Sequence, residues 1–191
     1  PQKENITLLN QKVSGSWSIA NRQTSTPKET VEQEVFTLSI DHGAHPDKGD
    51  YAYIVIPSTD RSSIERQVRE AGIVTLANNK ELQAVRHDGL NMAYAVFYKG
   101  GTLQVNEKIV VTMDSPGMLM LKYSESGEIL TWGVVDPTHF LKKIHWSVNQ
   151  KLGDSGQECI QSEWDESTGS SRIAVDLPQG EYAGKSIVYH K

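Results

Sequence analysis

The sequence predicts an all-β protein built from antiparallel β-sandwiches, with one short helix. Three observations predict it. From residue 73 onward, short alternating or apolar runs recur at nearly regular spacing, with Gly, Pro and Asp between them. The βαβ alternation of a nucleotide-binding sheet is missing. Only one stretch, residues 62–72, carries both a helix start and a helix stop signal.

Taken in order, residues 6–13 and 16–20 read as short strands split by Ser14-Gly15. Trp17 and Ile19 point the same way, and the large aromatic ring of Trp17 predicts a core position. Residues 21–34 are polar and contain Pro27, which predicts an exposed loop. The stretch EVFTLSIDHGAHPDKGDYAYIVIP, residues 34–57, reads as two strands and a turn. In the first strand Phe36, Leu38 and Ile40 alternate with Thr37, Ser39 and Asp41, the mark of one wet face. In the second, residues 51–56, Tyr51, Tyr53 and Val55 occupy one face, and Ala52, Ile54 and Ile56 the other. Both faces are apolar, which predicts a strand between two layers with Ile54 fully buried. The connection, residues 42–50, holds two Gly, one Pro and two Asp, which is loop chemistry.

Ser62-Ser63-Ile64-Glu65 has the capping-box pattern, with Ser62 as cap and Glu65 reaching back. Ile64 and Val68 lie four apart on one face, and Gly72 stands where a terminating glycine belongs. The spacing predicts a helix over 63–71, which also serves as a linker between two β domains, residues 1–72 and 73–191. Beyond it, strands are predicted at 73–76, 82–86, 92–98, 103–105, 109–113, 118–123, 129–135, 141–148, 171–177 and 185–190. Residues 149–169 are rich in Gly, Ser, Asp and Glu, with Cys159, Ile160 and Trp164 as the large apolar anchors. They read as a long hairpin connection or a mobile loop.

Composition narrows the function. The net charge of −5 lacks the basic footprint that nucleic acid or an anionic membrane demands, so neither is an expected partner. It also disfavours this chain as the main groove for a polyanion. No run approaches the roughly 20 apolar residues of a membrane helix. The single cysteine, Cys159, excludes an internal disulfide framework and a Cys-rich zinc site. The opening Pro1-Gln2-Lys3-Glu4 has neither an initiator Met nor a signal peptide, which predicts a processed product or a piece of a longer protein. Asn5-Ile6-Thr7 matches the N-glycosylation pattern, which matters only in a eukaryotic secretory pathway.

Candidate chemistry is sparse. His42 and His45, flanked by Asp41 and Asp47, have the spacing of a metal-binding pair, but no glutamate-bearing helix precedes them. A loop whose polar side chains bond its own backbone needs no metal, and that is the reading adopted. Asp47 and Asp50 lack the EF-hand spacing. Neither G-x-S-x-G nor a phosphate-binding loop occurs. The expectation is therefore no metal, no cofactor and no catalytic residue. Flat aromatic faces stack on sugar rings. Trp132 and Trp146 lie inside strand patterns, where burial is usual, whereas Trp164 sits among polar residues and is the candidate for carbohydrate binding.

Three motifs carry a resemblance. The F-x-L-x-I-D-H-G strand of residues 36–43, followed by a short loop and Y-A-Y-I-V-I-P, resembles the end of the central β domain of family 8 polysaccharide lyases. ELQAVRH (81–87) followed by LNMAYAVFY (90–98) is similar to the opening of their small C-terminal β domain. GVVDPT (133–138) is similar to a turn late in that domain. The order along the chain is also that of the family, with the chondroitin AC lyase type nearest. The resemblance implies that residues 1–72 close a super-sandwich and that 73–191 form a smaller C-terminal sandwich. It implies a secreted or periplasmic bacterial enzyme that cleaves uronic-acid polysaccharides by β-elimination. It further implies a catalytic α/α toroid as partner within the same protein. The family's Asn, His, Tyr and Arg catalytic groups belong to that toroid, so none is carried over to this sequence. Two other roles compete for the present chain: a carbohydrate-binding module and a purely structural support.

Overall fold

The computed structural model describes residues 5–21 and 23–191, so Pro1-Gln2-Lys3-Glu4 and the side chain of Asn5 in the glycosylation pattern lie outside the described residues. The chain divides into two compact units, Pro1–Tyr53 and Ile54–Lys191.

The first unit is a two-stranded antiparallel ribbon. β1 (Asn5–Gly15) pairs along its whole length with β2 (Val31–Asp41), from Asn5 opposite Asp41 to Gly15 opposite Val31. Ser14-Gly15 therefore does not break the strand, because both residues have partners across the ladder. Residues 16–20 are not a strand. α1 (Trp17–Ala20) is one helical turn, started by Ser16, whose hydroxyl accepts from the Ser18 amide at 3.2 Å. Trp17 is 63% exposed, so the expectation of a core tryptophan fails. Cross-strand partners share a face, and one face gathers Ile6, Leu8, Phe36, Leu38 and Ile40. Phe36 is 63% exposed, and Ile6, Leu8 and Leu38 are also exposed.

Residues 51–56 form no strand. Ile54 is 44% exposed and Val55 75%, so the predicted burial between layers is overturned. Apolar side chains on both faces favour a strand only where neighbours supply the ladder, and no described strand pairs with this segment.

The second unit opens with α2 (Ile64–Glu70). Its cap differs from the predicted box. Ser62 and Ser63 donate their amides to the Asp60 carboxylate at 2.9 and 3.0 Å, and their hydroxyls donate to it as well. These bonds, the Ser62 hydroxyl first, hold Asp60 below the usual carboxylate range. Gly72 does end the helix, with φ +61.

Two sheets follow. One has six strands, in the order β13 (Ile187–His190), β9 (Ile129–Val135), β8 (Gly117–Tyr123), β5 (Met92–Phe97), β4 (Leu82–His87), β3 (Ile73–Asn78). The other has five, in the order β11 (Ile160–Asp165), β12 (Ser170–Asp176), β10 (Lys143–Val148), β7 (Val110–Met113), β6 (Gly101–Gln104). All pairings are antiparallel, as expected for a sandwich. The sheets bury one continuous core between them, including Phe97, Leu121 and Val134 from the first and Val111, Ile144 and Ile173 from the second. Trp132 and Trp146 meet across that gap edge to face, with centroids 5.1 Å apart at 70°. β11 lies inside the stretch read as an unstructured connection. Ile160, Ser162 and Trp164 turn toward the core while Gln161 and Glu163 turn out, so the stretch supplies an edge strand.

The Asp136-Pro137-Thr138 turn after β9 is held by its first residue. Asp136 is 3% exposed and accepts from the Thr138 amide and hydroxyl at 2.8 and 2.6 Å and from the Leu141 amide at 2.8 Å. Burial pushes its carboxyl up, but the bonds from Thr138, Leu141 and Phe140 together outweigh burial and hold it below its ordinary value.

Candidate functional site

Trp164, the sequence candidate for carbohydrate binding, lies on the edge strand β11 and is half-buried. The Lys151 ammonium stands 5.9 Å from its ring centroid, within reach of a cation–π contact. Trp132 and Trp146 are buried in the core and present no face to a ligand, as their strand patterns predict. His42 packs its ring against Gly49, where an added Cβ would stand 3.1 Å from the ring, and lies 6.4 Å from Tyr51. Gly43 donates its amide to Asp41 at 2.8 Å, the loop chemistry expected there. Among the described residues no group of three or more His, Cys, Asp or Glu is arranged to hold a metal ion.

One cleft of the second unit, about 680 Å³, gathers residue types suited to proton transfer: Arg86, Asn91 and Tyr123. Arg86 is committed to Asp88 at 2.5 Å and to the Val105 carbonyl at 2.9 Å, tying β4 to the turn after β6. Tyr123 is buried, and no described histidine lines the cleft.

The outer faces of the two sheets differ in chemistry. On the six-stranded sheet, Val85, Tyr94, Met120, Gly133 and Val188 stand in register across five strands. Val96, Met118 and Val135 form a parallel row beside them. Gly133 leaves room for Val188 and Met120, whose side-chain carbons would lie 3.3 and 3.7 Å from an added Cβ. The strip is apolar, with Tyr94 47% exposed. On the five-stranded sheet the outer face is a polar trough of about 740 Å³. Ser147 and Ala174 form a low floor, with Asp114, His145, Gln161, Glu163 and Arg172 around it. Arg172 is fixed by Asp165 at 2.9 Å, and Asp165 is held in turn by Ser167. Sequence reasoning missed this trough because β11, one of its walls, was read as loop. The alternation of Gln161 and Glu163 with Ile160, Ser162 and Trp164 was the available signal.

With the fold and surfaces in place, the chain can be set beside known proteins. Residues 1–68 match the super-sandwich domain of polysaccharide lyase family 8, and residues 75–145 match the C-terminal β-sandwich domain of the same family. The chain belongs to polysaccharide lyase family 8. It is 31% identical to a chondroitinase-AC of Pedobacter heparinus over 188 residues, 98% of this chain and 24% of that protein. It is 25% identical to a xanthan lyase of Bacillus sp. over 124 residues, 65% of this chain and 13% of that protein. A chondroitinase AC lyase solved with oligosaccharides superposes with a TM-score of 0.71 at 31% identity, over 97% of this chain and 25% of that one. A Paenibacillus xanthan lyase shares the fold, with a TM-score of 0.74 at 22% identity, over 97% of this chain and 18% of that one. The chain thus spans about a quarter of the chondroitinase's length.

Proposed function

We propose that this chain is the non-catalytic C-terminal β portion of a secreted bacterial lyase. The whole enzyme depolymerises a uronic-acid polysaccharide of the chondroitin or hyaluronan type by β-elimination. The observation that carries the reading is the apolar outer surface of an otherwise well-packed β protein. The β1–β2 ribbon and the Val85–Tyr94–Met120–Val188 strip both present hydrophobic rows to solvent. Contiguous apolar patches of this kind mark surfaces that another body covers. The relatives are several times longer than this chain, and the partner of these surfaces is the remainder of the same enzyme, including its α/α toroid. β-Elimination needs a group to stabilise charge on the carboxylate, a base for the C5 proton and an acid for the departing oxygen. The cleft that gathers Arg86, Asn91 and Tyr123 has its Arg committed and its Tyr buried, which supports reading this chain as support rather than as a source of proton transfer. A secreted or periplasmic location is part of this reading, because a polysaccharide substrate is met outside the cytoplasm. No helix among the described residues is long and apolar enough to cross a membrane.

The test is direct. The purified 191-residue chain should release no ultraviolet-absorbing unsaturated uronate from chondroitin or hyaluronan. Turnover by the chain alone, abolished by His42→Ala or His87→Ala, overturns the reading. A second role is favoured by one observation: Lys151 beside the half-buried Trp164 pairs a cation with a flat ring, the chemistry that holds a uronate. Weak hyaluronan binding lost in Trp164→Ala supports it.

A further inference from the structure

We propose that the end of the sandwich formed by residues 136–142 and 177–186 is a binding site for an acidic polysaccharide, with Phe140 and Tyr182 as stacking rings and Lys142 and Lys185 as cations. The two turns cross between the sheets at the same end, because Lys143 at the start of β10 stands opposite Asp176 at the end of β12. They are locked to each other. The Leu177 amide donates to the Lys142 carbonyl at 2.8 Å, and the Gln179 side-chain amide donates to the carbonyls of Leu141 and Leu177, each at 3.1 Å. His139, at φ +65, packs its ring against Gly184, where no Cβ would fit. Asp136 holds the amides of Thr138 and Leu141, so the backbone on both sides of Phe140 is fixed. That frame carries Phe140 outward to 88% exposure, the highest of any large apolar side chain among the described residues. Tyr182, on the single helical turn Gly180–Tyr182, is 60% exposed. A ring on a fixed backbone has only its side-chain torsions left to order, so a flat ligand seats on it at small entropic cost.

Charge selects the ligand. The chain as a whole is acidic, with 24 Asp and Glu against 19 Lys and Arg, yet residues 137–153 hold three Lys, two His and no acid. Lys143 is taken by Asp176 at 3.2 Å. Lys142 and Lys185 are exposed and, among the described residues, have no hydrogen-bond or ion-pair partner. Of the acids in the two turns, Asp136 is buried and bonded within its own turn, which leaves Glu181 alone to oppose them. An ammonium attracts a carboxylate or sulfate as a point charge, without being held in one geometry. The apolar face of a pyranose covers an aromatic ring while its acid group reaches the ammonium beside it. A protein partner fits less well, because lysine is depleted from protein contacts. The inference rests on the proposed function for the class of polymer and gives this chain a grip on it away from the toroid. A chain that neither turns over nor binds the polymer keeps the proposed function and loses this site.

Affinity electrophoresis of the full chain in gels containing hyaluronan or chondroitin sulfate tests it, with neutral hydroxyethylcellulose as the control. At least one acidic polymer should retard the chain, and retardation should fade as salt is raised to about 0.5 M, where exposed charge attraction is screened. Phe140→Ala and Tyr182→Ala should each weaken retention about threefold to tenfold, with an unchanged unfolding midpoint, because both rings are exposed. The double variant Lys142→Glu, Lys185→Glu should abolish it. Failure of both acidic polymers, equal retardation by hydroxyethylcellulose, or retention indifferent to Phe140→Ala and to the double variant overturns the proposal. Retention lost in Trp164→Ala and intact in Phe140→Ala also overturns it and assigns binding to the Lys151–Trp164 pair. Self-association in sedimentation that Phe140→Ala abolishes, without any retardation by polymer, overturns it by making the ring a protein contact.

Discussion

Asp136→Asn changes one atom in a turn whose function is purely geometric. In the native turn one carboxylate oxygen accepts both the amide and the hydroxyl of Thr138, and the other accepts the Leu141 amide. An asparagine keeps its single oxygen for one of these and sets an NH2 against the donor or donors on the other. The charge that strengthened all three bonds is also lost, in a group only 3% exposed. A lost charge-assisted bond together with a donor facing a donor costs about 2–4 kcal/mol. The effect must depend on pH. The folded-state carboxyl is held below its ordinary value, so its contribution is fully present above the unfolded value of about 3.9 and is lost as pH falls through the folded one. Asp136→Asn removes a titrating group, so the gap between native and variant should narrow on going from about pH 7 to about pH 3. Urea unfolding, followed by the fluorescence of the buried Trp132 and Trp146, reads both quantities. A variant within about 0.5 kcal/mol of native at neutral pH, or a gap equal at both pH values, refutes the account.

Two other outcomes are expected. Ile54→Ala should cost less than about 1 kcal/mol in the isolated chain, because the side chain is 44% exposed; a loss of about 2–5 kcal/mol in the same urea assay would place it in a packed core. The chain should self-associate at about 100 μM through the ribbon face that carries Phe36 and Leu38, and a Phe36→Lys, Leu38→Lys variant should sediment as a monomer. A native chain that is monomeric at that concentration shows that water tolerates this face.

What was legible in the sequence follows physical lines. Apart from β11, the strands from residue 73 onward were read to within two residues at each end, and β9 with no error at either end, because each alternates or runs apolar between Gly, Pro or Asp turns. The burial of Trp132 and Trp146 followed from those patterns. Residues 51–56 were over-read because hydropathy reports side chains and not ladder partners, and no described strand pairs with them. β11 was under-read because Ser162 occupies an inward position that the pattern expects to be apolar. The cap of α2 was misplaced because Asp60, two residues upstream of the expected Ser62, supplies both oxygens. Trp164 was recognised as less buried than Trp132 and Trp146, though not its neighbour Lys151, since 13 residues separate them in sequence and only the fold joins them. The trough was invisible for a related reason. It draws Asp114, His145, Glu163 and Arg172 from different strands and turns, and their proximity is a property of strand register.

The two outer faces together orient the sandwich. A sheet whose outward rows read Val85, Tyr94, Met120, Val188 and Val96, Met118, Val135 gains by leaving water, at roughly 25 cal/mol for each Å² of apolar surface covered. A sheet whose outward side chains are Asp114, His145, Gln161, Glu163 and Arg172 loses by the same move, because each polar group covered without a partner costs about 1–3 kcal/mol. Cover is therefore driven to one side of the sandwich and resisted on the other. That balance agrees with the supporting role proposed above, in which the six-stranded sheet is the face that another body covers.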